Sequence, residues 1–501
     1  MNDSGLASFL ERAQALLGSG ALKSAAAEIE PYCTDWRRRF FGRAAAVVFP
    51  NDTVQLAELV RHANRYGVAL VPQGGNTGLS GGATPDNSAT QCVVSLTRMQ
   101  RVRERDFAYK TLTVEAGVTL EQVQNIAAEM GLFFPLSLSA EGSATIGGNL
   151  ATNAGGTGVL RYGSARDLCL GIEVVTALGE IWNGLRGLRK DNTGYDLRDL
   201  YIGSEGTLGF ITASVLMLYP KPRGVVSALV KVASPRAAFA LLQTAQDHCD
   251  ASLTGFEYMS AQSTQVVQDY FPEVARHGAA IIGDGDKQST RSQNRSDSVL
   301  VEISHTDSEQ AAMEKLESVI GQGLSKGVVQ DAIVAQSIAQ SRALWHLREC
   351  ITLGAAEDGA QVKLDIALPL SKLVEFIEVM GRELTAAFPG VRLHNFGHFG
   401  DGNLHYNVGA PEHLAVHQPP EKRRSIYLDY IERNESRIRQ MVHDRVVMMN
   451  GSISAEHGLG QLRKSEAARF KSPVELTLMK SIKRALDPNG ILNPGKVLDC
   501  D

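Results

Sequence analysis

Two glycine-rich stretches constrain this chain more than any other feature: GGNTGLSGG at 74–82 and GSATIGGNLATNAGG at 142–156. Glycine admits positive φ and close backbone approach, at an entropic cost that an ordinary turn does not require. Successive N–H groups, with short Ser, Thr and Asn side chains between them, can surround a pyrophosphate as an anion nest. One such loop is as readily a simple turn, whereas two close together point to dinucleotide binding. The GxGxxG spacing of nicotinamide and flavin Rossmann domains occurs nowhere in the chain, so the nest must be built differently.

Composition narrows the class further. At 501 residues, 44% of them hydrophobic and 21% charged, the chain can bury more than one core. A formal charge of -5 lacks the basic excess of a nucleic-acid binder. Six scattered cysteines contain no CxxC pair, which argues against a zinc ribbon or disulfide framework and for a reducing compartment. No apolar run reaches the roughly 18 residues of a bilayer span, so a cytoplasmic, non-membrane-spanning protein is expected.

Periodicity marks a helical segment at 1–43, a cofactor domain at 44–222 that carries the glycine loops, and an α+β region from 223 that runs through 455 to a C-terminal segment at 456–501. In the cofactor domain Asp52 caps a helix that Gly67 ends, and a buried strand at 68–71 leads into the first glycine loop. Beyond Pro220 and Pro222, strands at 227–232 and 298–303 alternate with helices at 235–248 and 309–321. The polar run 284–297 reads as a mobile surface loop.

A second constellation lies at Gly397-His-Phe-Gly-Asp-Gly-Asn-Leu-His-Tyr-Asn407. With Asp401-Gly402 as a two-residue hairpin turn, cross-strand partners sum to 803 and His398 faces His405. Asn407 then shares their face, while Phe399 pairs with Leu404 on the other. Taken by itself, the hairpin slightly favours two satisfied structural histidines. Glu456-His457, read as the end of a strand from Ser452, shifts the balance, since two imidazoles and one carboxylate make a three-ligand site for Zn2+, Mn2+ or Co2+ with one position open. Adjacent residues of an extended chain point apart, so one of that pair would bind metal and the other meet substrate. A hydrolase with a His2Glu metal site and a non-catalytic flavin carrier both remain open at this level.

The motifs VPQGGNTG at 71–78, EGSATIGGNLATNAGG at 141–156, IGSEGTLG at 202–209 and LNPGK at 492–496 together resemble the FAD-linked oxidoreductases of the vanillyl-alcohol oxidase type. The histidine constellation is similar to that of their D-2-hydroxyacid dehydrogenase branch, and within it to the D-2-hydroxyglutarate dehydrogenases. The resemblance implies an α+β fold: a two-subdomain FAD-binding domain, an inserted α+β substrate domain and a C-terminal segment returning to the flavin. It implies FAD contacts from Gly74, Gly75, Asn76, Thr77, Gly78, Pro135, Gly142, Thr145, Gly147, Gly148, Thr152, Asn153, Gly155, Gly206, Ile211 and Asn493. Some relatives bond flavin covalently through a histidine in the first loop; residues 74–82 contain none, so noncovalent FAD is expected. Gln73 stands where the branch often has arginine.

The same resemblance implies His398, His405 and Glu456 as metal ligands, with His457 as catalytic base. Arg348, Thr352, Lys363, Asn407 and His457 become the substrate-binding residues; Arg348 and Thr352 are four apart and so share a helical face. The implied reaction is oxidation of D-2-hydroxyglutarate, or D-malate, to the 2-keto acid, with D-lactate oxidation as the alternative. The implied partners are a small 2-hydroxy dicarboxylate and an electron acceptor such as electron-transferring flavoprotein or a quinone. A homodimer is left open.

Overall fold

The computed structural model describes residues 3–283 and 296–499. It divides into two compact units. The first comprises residues 1–158, 162–221 and 456–501, and the second residues 159–161 and 222–455.

In the first unit, the helix Thr53–Tyr66 begins where the Asp52 carboxylate accepts the Gln55 N–H and ends at Gly67, whose φ of 68° closes the last turn. Its apolar stripe, including Leu56, Leu59, Val60 and Ala63, is fully buried. It packs on a four-stranded sheet ordered Leu22–Lys23, Ala46–Val48, Cys92–Ser95 and Leu70–Gln73. The last three strands are parallel and buried, which explains their continuous apolar sequence. A second, antiparallel sheet is ordered Val102–Asp106, Thr111–Glu115, Gly209–Met217, Cys169–Thr176 and Ile181–Gly184. The charged strand Val102–Asp106 carries no apolar alternation and escapes periodicity. The helix Asp3–Leu17 buries Phe9, Ala13 and Leu17 in the first sheet's core.

The second unit is built on an antiparallel eight-stranded sheet running from Val329–Val334 through Gly224–Val232, Asp297–His305, Leu253–Met259, Arg392–His398 and Asn403–Gly409 to Gln361–Val362. The short strand Asp365–Ala367 also pairs with Asn403–Gly409. The helix Ile338–Asp358 buries Leu344, Leu347, Cys350 and Ile351 in the core beside this sheet.

Several expectations need correction. Of the presumed loop 284–297, residues 284–295 lie outside the described residues, while Asp297 begins a strand and binds the Tyr258 hydroxyl and the Ala261 N–H. Part of the second glycine loop is a short helix, Ile146–Ala151, because Thr145 supplies an N-cap to Gly148. Residues 452–460 do not form a strand: Ser452 makes an isolated bridge to Ala367, and the chain then turns through Gly458 and Gly460, both at positive φ. The described cysteines 33, 92, 169, 249 and 350 are buried and unbridged. Among the described residues no helix is long and apolar enough to cross a membrane.

Candidate active site

In the first unit, the glycine loops converge. A Cβ added at Gly75 would lie 1.8 Å from the Ser143 carbonyl oxygen, and one at Gly74 would lie 2.3 Å from Thr145 Oγ1. A Cβ at Gly147 would meet that of Ala116 at 2.6 Å. Only glycine lets the two loops press together and present main chain to a shared cleft. That cleft, partly open to solvent, lies between Pro72–Gly74, Thr145–Gly148 and Ser204–Gly206, with Phe210 and Ile211 among the lining residues. Gly74, Thr145, Gly147, Gly148, Gly206 and Ile211, expected at the flavin, therefore line it.

Other expected contacts serve the walls instead. Asn76 donates to the Pro31 and Thr34 carbonyls, Asn153 accepts the Arg166 N–H, and Thr152 bonds the Gly148 carbonyl. Gly78 and Gly142 are exposed, and Gly75, Thr77, Pro135 and Gly155 are not among the residues that line the cleft. Asn493 donates to the carbonyls of Gly82 and Glu205, both lining residues, and its buried Oδ1 has no partner. That orphaned acceptor and the main-chain cradle fit a dinucleotide with hydrogen-bond donors. Gln73 supplies no charge; its buried amide ties the Tyr32 and Ala83 carbonyls together. Glu205, which lies in the 202–209 motif without being expected as a site residue, accepts the Leu459 and Gly460 N–H groups, while burial pushes its carboxyl up. Glu456 accepts the Gly156 N–H at 2.7 Å, so it meets the second glycine loop as well as being a candidate ligand.

In the second unit, the histidine hairpin forms with a different register. Phe396 pairs with His405 and His394 with Asn407, so partners sum to 801 rather than 803. The turn is a short 3-10 segment, Phe399–Asp401, followed by Gly402 at φ 86°, rather than a two-residue turn. Phe399 consequently does not face Leu404 but packs against Phe256 and Tyr258. A shift of two residues preserves the face, and His398 and His405 still meet, with ring centroids 5.6 Å apart and a ligand nitrogen of each within 4.8 Å of the other.

Supporting groups surround this pair. Glu257 Oε1 lies 2.6 Å from His398 Nδ1, and Arg348 Nε donates to Glu257 Oε2 at 2.7 Å. Burial opposes ionisation of Glu257, but the neighbouring His398 and Arg348 and their hydrogen bonds hold its carboxyl well below the usual range. Asp365, the cross-strand partner of His405, has a carboxylate oxygen 3.9 Å from His405 Nδ1 and accepts Asn403 Nδ2 at 2.9 Å. Neither Glu257 nor Asp365 stood out in sequence as a site residue, since a single acid in a strand carries no spacing signal.

The expected substrate grip is partly assembled. Arg348 is neither solvated nor uncommitted: it is buried against Glu257, stacks 5.2 Å from the Phe396 ring, and keeps Nη2 without a partner. Thr352 lies one turn further along the helix and is exposed. Lys363 is half-buried between two short strands, and Asn407 is buried. Ala455 donates to the Asp365 carbonyl at 3.3 Å, and the next residues in the chain are Glu456 and His457.

Comparison with known proteins agrees with the two-part architecture. Residues 44–184 match the FAD binding domain family and residues 221–497 the C-terminal domain of FAD linked oxidases. The mitochondrial D-2-hydroxyglutarate dehydrogenase of Arabidopsis thaliana is 35% identical over 94% of this chain and 78% of its own length. The D-2-hydroxyglutarate dehydrogenase of Xanthomonas citri pv. viticola is 36% identical over 95% of this chain and 94% of its own length. A putative mitochondrial D-lactate dehydrogenase of Schizosaccharomyces pombe is 34% identical over 94% and 85%. Among solved structures, p-cresol methylhydroxylase is similar in fold, with a TM-score of 0.72 at 16% identity over 100% of this chain and 98% of that one. The chain therefore belongs to the FAD-linked oxidoreductases of the vanillyl-alcohol oxidase type, in their D-2-hydroxyacid dehydrogenase branch.

Proposed function

We propose that this enzyme oxidises D-2-hydroxyglutarate, and D-malate as its shorter analogue, to the 2-keto acid in a metal-dependent reaction. The observation that carries the reading is the pairing of two facing imidazoles with a buried arginine that retains one unpartnered nitrogen. The relatives named D-2-hydroxyglutarate dehydrogenase support the choice of acid.

His398 and His405 would hold a divalent ion, zinc or alternatively manganese or cobalt, with Glu456 as third ligand. The anchoring of Ala455 on Asp365, one residue earlier, supports that choice. When bound, FAD supplies a hydride acceptor and the divalent ion a Lewis acid at the hydroxyl. His457 takes the hydroxyl proton. Asn407 orients the carboxylate next to the reacting carbon, while Arg348 Nη2, Lys363 and Thr352 receive the distal carboxylate. Its electrons would pass to an electron-transferring flavoprotein or a quinone.

Anaerobic bleaching of the flavin by a panel of D- and L-2-hydroxyacids, before and after chelation, tests the assignment. Rapid bleaching by D-2-hydroxyglutarate, lost on chelation while the yellow colour stays, is expected. Full bleaching in demonstrably metal-free enzyme refutes the metal site. Preference for D-lactate would favour the second reading, for which the fission-yeast relative's name speaks.

A further inference from the structure

The two candidate imidazole ligands and Arg348 of the candidate anion grip are joined by a closed ring of side chains within the second unit. His398 Nδ1 meets Glu257 Oε1 at 2.6 Å, and Glu257 Oε2 accepts Arg348 Nε at 2.7 Å. The Arg348 guanidinium lies over Phe396 at 5.2 Å, Phe396 lies 5.1 Å from the His405 ring, and His405 lies 5.6 Å from His398. The ladder sets this up: Glu257 is the cross-strand partner of His398, and Phe396 is the partner of His405. We infer that Glu257 is a positioning residue that aims both halves of the site, fixing the tautomer of His398 with one oxygen and the plane of Arg348 with the other.

Chemistry forces the division of labour. An ionised carboxylate only accepts, so the His398 proton sits on Nδ1 and the lone pair belongs to Nε2, as a metal ligand requires. Arg348 spends Nε on Glu257, which leaves the buried, unpartnered Nη2 for an incoming anion. A guanidinium held at one edge and stacked on a ring has little freedom to turn that nitrogen elsewhere. Because Glu257 is 1% exposed, no water can replace either contact cheaply.

The inference rests on the metal reading proposed above, and its test separates the two. In Glu257→Gln one oxygen faces two N–H donors, so only one can be served and the amide NH2 opposes the other. With FAD bound and metal stripped, zinc titration of this variant should show affinity about 10- to 100-fold weaker than the parent, the usual worth of an outer-shell partner. Nitrogen NMR of His398 should show loss of the single Nδ1–H tautomer, which a merely structural role would not produce. KM for D-2-hydroxyglutarate should rise more than kcat falls. Zinc affinity within about twofold of the parent, in a folded variant, overturns the inference. Should Glu257→Gln not fold, Glu257→Leu/Arg348→Met removes both charges and leaves the His398 Nδ1 without an acceptor, and unchanged zinc affinity there overturns it equally. A parent protein that takes up no zinc overturns the metal reading and this inference together, whereas a zinc-binding parent with an indifferent variant overturns this one alone.

Discussion

Replacing Lys483 with methionine should detach the C-terminal tail from the flavin cleft. The Lys483 ammonium, 9% exposed, bonds Asp487 and donates to the Thr207 carbonyl at 2.7 Å and the Leu492 carbonyl at 2.8 Å. Thr207 follows Gly206 of the cleft wall, and Leu492 precedes Asn493, whose amide spans Gly82 and Glu205. Methionine fills nearly the same volume, so the loss is electrostatic rather than steric. Breaking a buried pair by removing one partner costs about 3–5 kcal/mol. Asp487 keeps the Ile491 and Leu492 N–H groups at 3.1 and 2.9 Å, which offset part of its stranded charge and favour the lower end. At roughly 2–4 °C per kcal/mol for a unit of this size, the first unit should melt about 6–12 °C lower. Urea titrations read by released flavin fluorescence, paired with far-UV dichroism, measure the difference. A loss below about 1 kcal/mol, with FAD affinity unchanged, would show that the tail is held by its apolar residues and not by this ion pair.

Gly75→Ala should weaken FAD binding by about 10-fold or more, because its Cβ falls 1.8 Å from a main-chain oxygen and the loops must part; equilibrium dialysis of FAD reads this. Acid precipitation of the parent should release all of its flavin, and yellow colour in the pellet would contradict noncovalent binding. His457→Ala should keep FAD and zinc yet lose about 100- to 10,000-fold in the anaerobic reductive step; parallel loss of zinc would mean that Glu456 and His457 exchange roles. Burial outweighs nearby Asp358 and lowers His394 from 6.5 to about 4. Its stabilising effect is therefore full above pH 6.5 and lost as pH falls toward 4, about 3 kcal/mol in all. Denaturation from pH 7 to 4 should cost the parent more than His394→Gln by about that amount, and parallel curves would contradict it.

What could be read from the sequence depended on how local its cause was. Asp52, Gly67 and the glycine loops declare themselves because each answers to neighbours within a few residues. The facing histidines were legible despite a wrong turn, since an even shift of register leaves side chains on the same face. Glu257 was invisible: its role depends on Arg348, 91 positions away, and on His398, 141 positions away. Arg348 was found by resemblance, but its partner and its orphaned nitrogen exist only in three dimensions.

The division of the first unit between residues before 222 and after 455 has a consequence for synthesis. Leu492 lies beside Leu70 in a parallel bridge, and Asn493 donates to the Leu70 strand's neighbourhood at Gly82. A ribosome must therefore finish the whole second unit before the first can close its cleft. At about 5–20 residues per second, the 422 positions between Leu70 and Leu492 take roughly 20–80 s to make. For that interval the nascent glycine loops lack their last wall, and the second unit, continuous in sequence apart from residues 159–161, is free to fold first. Cofactor capture therefore waits on chain order: the cleft cannot close on FAD until Leu492 and Asn493 have been made.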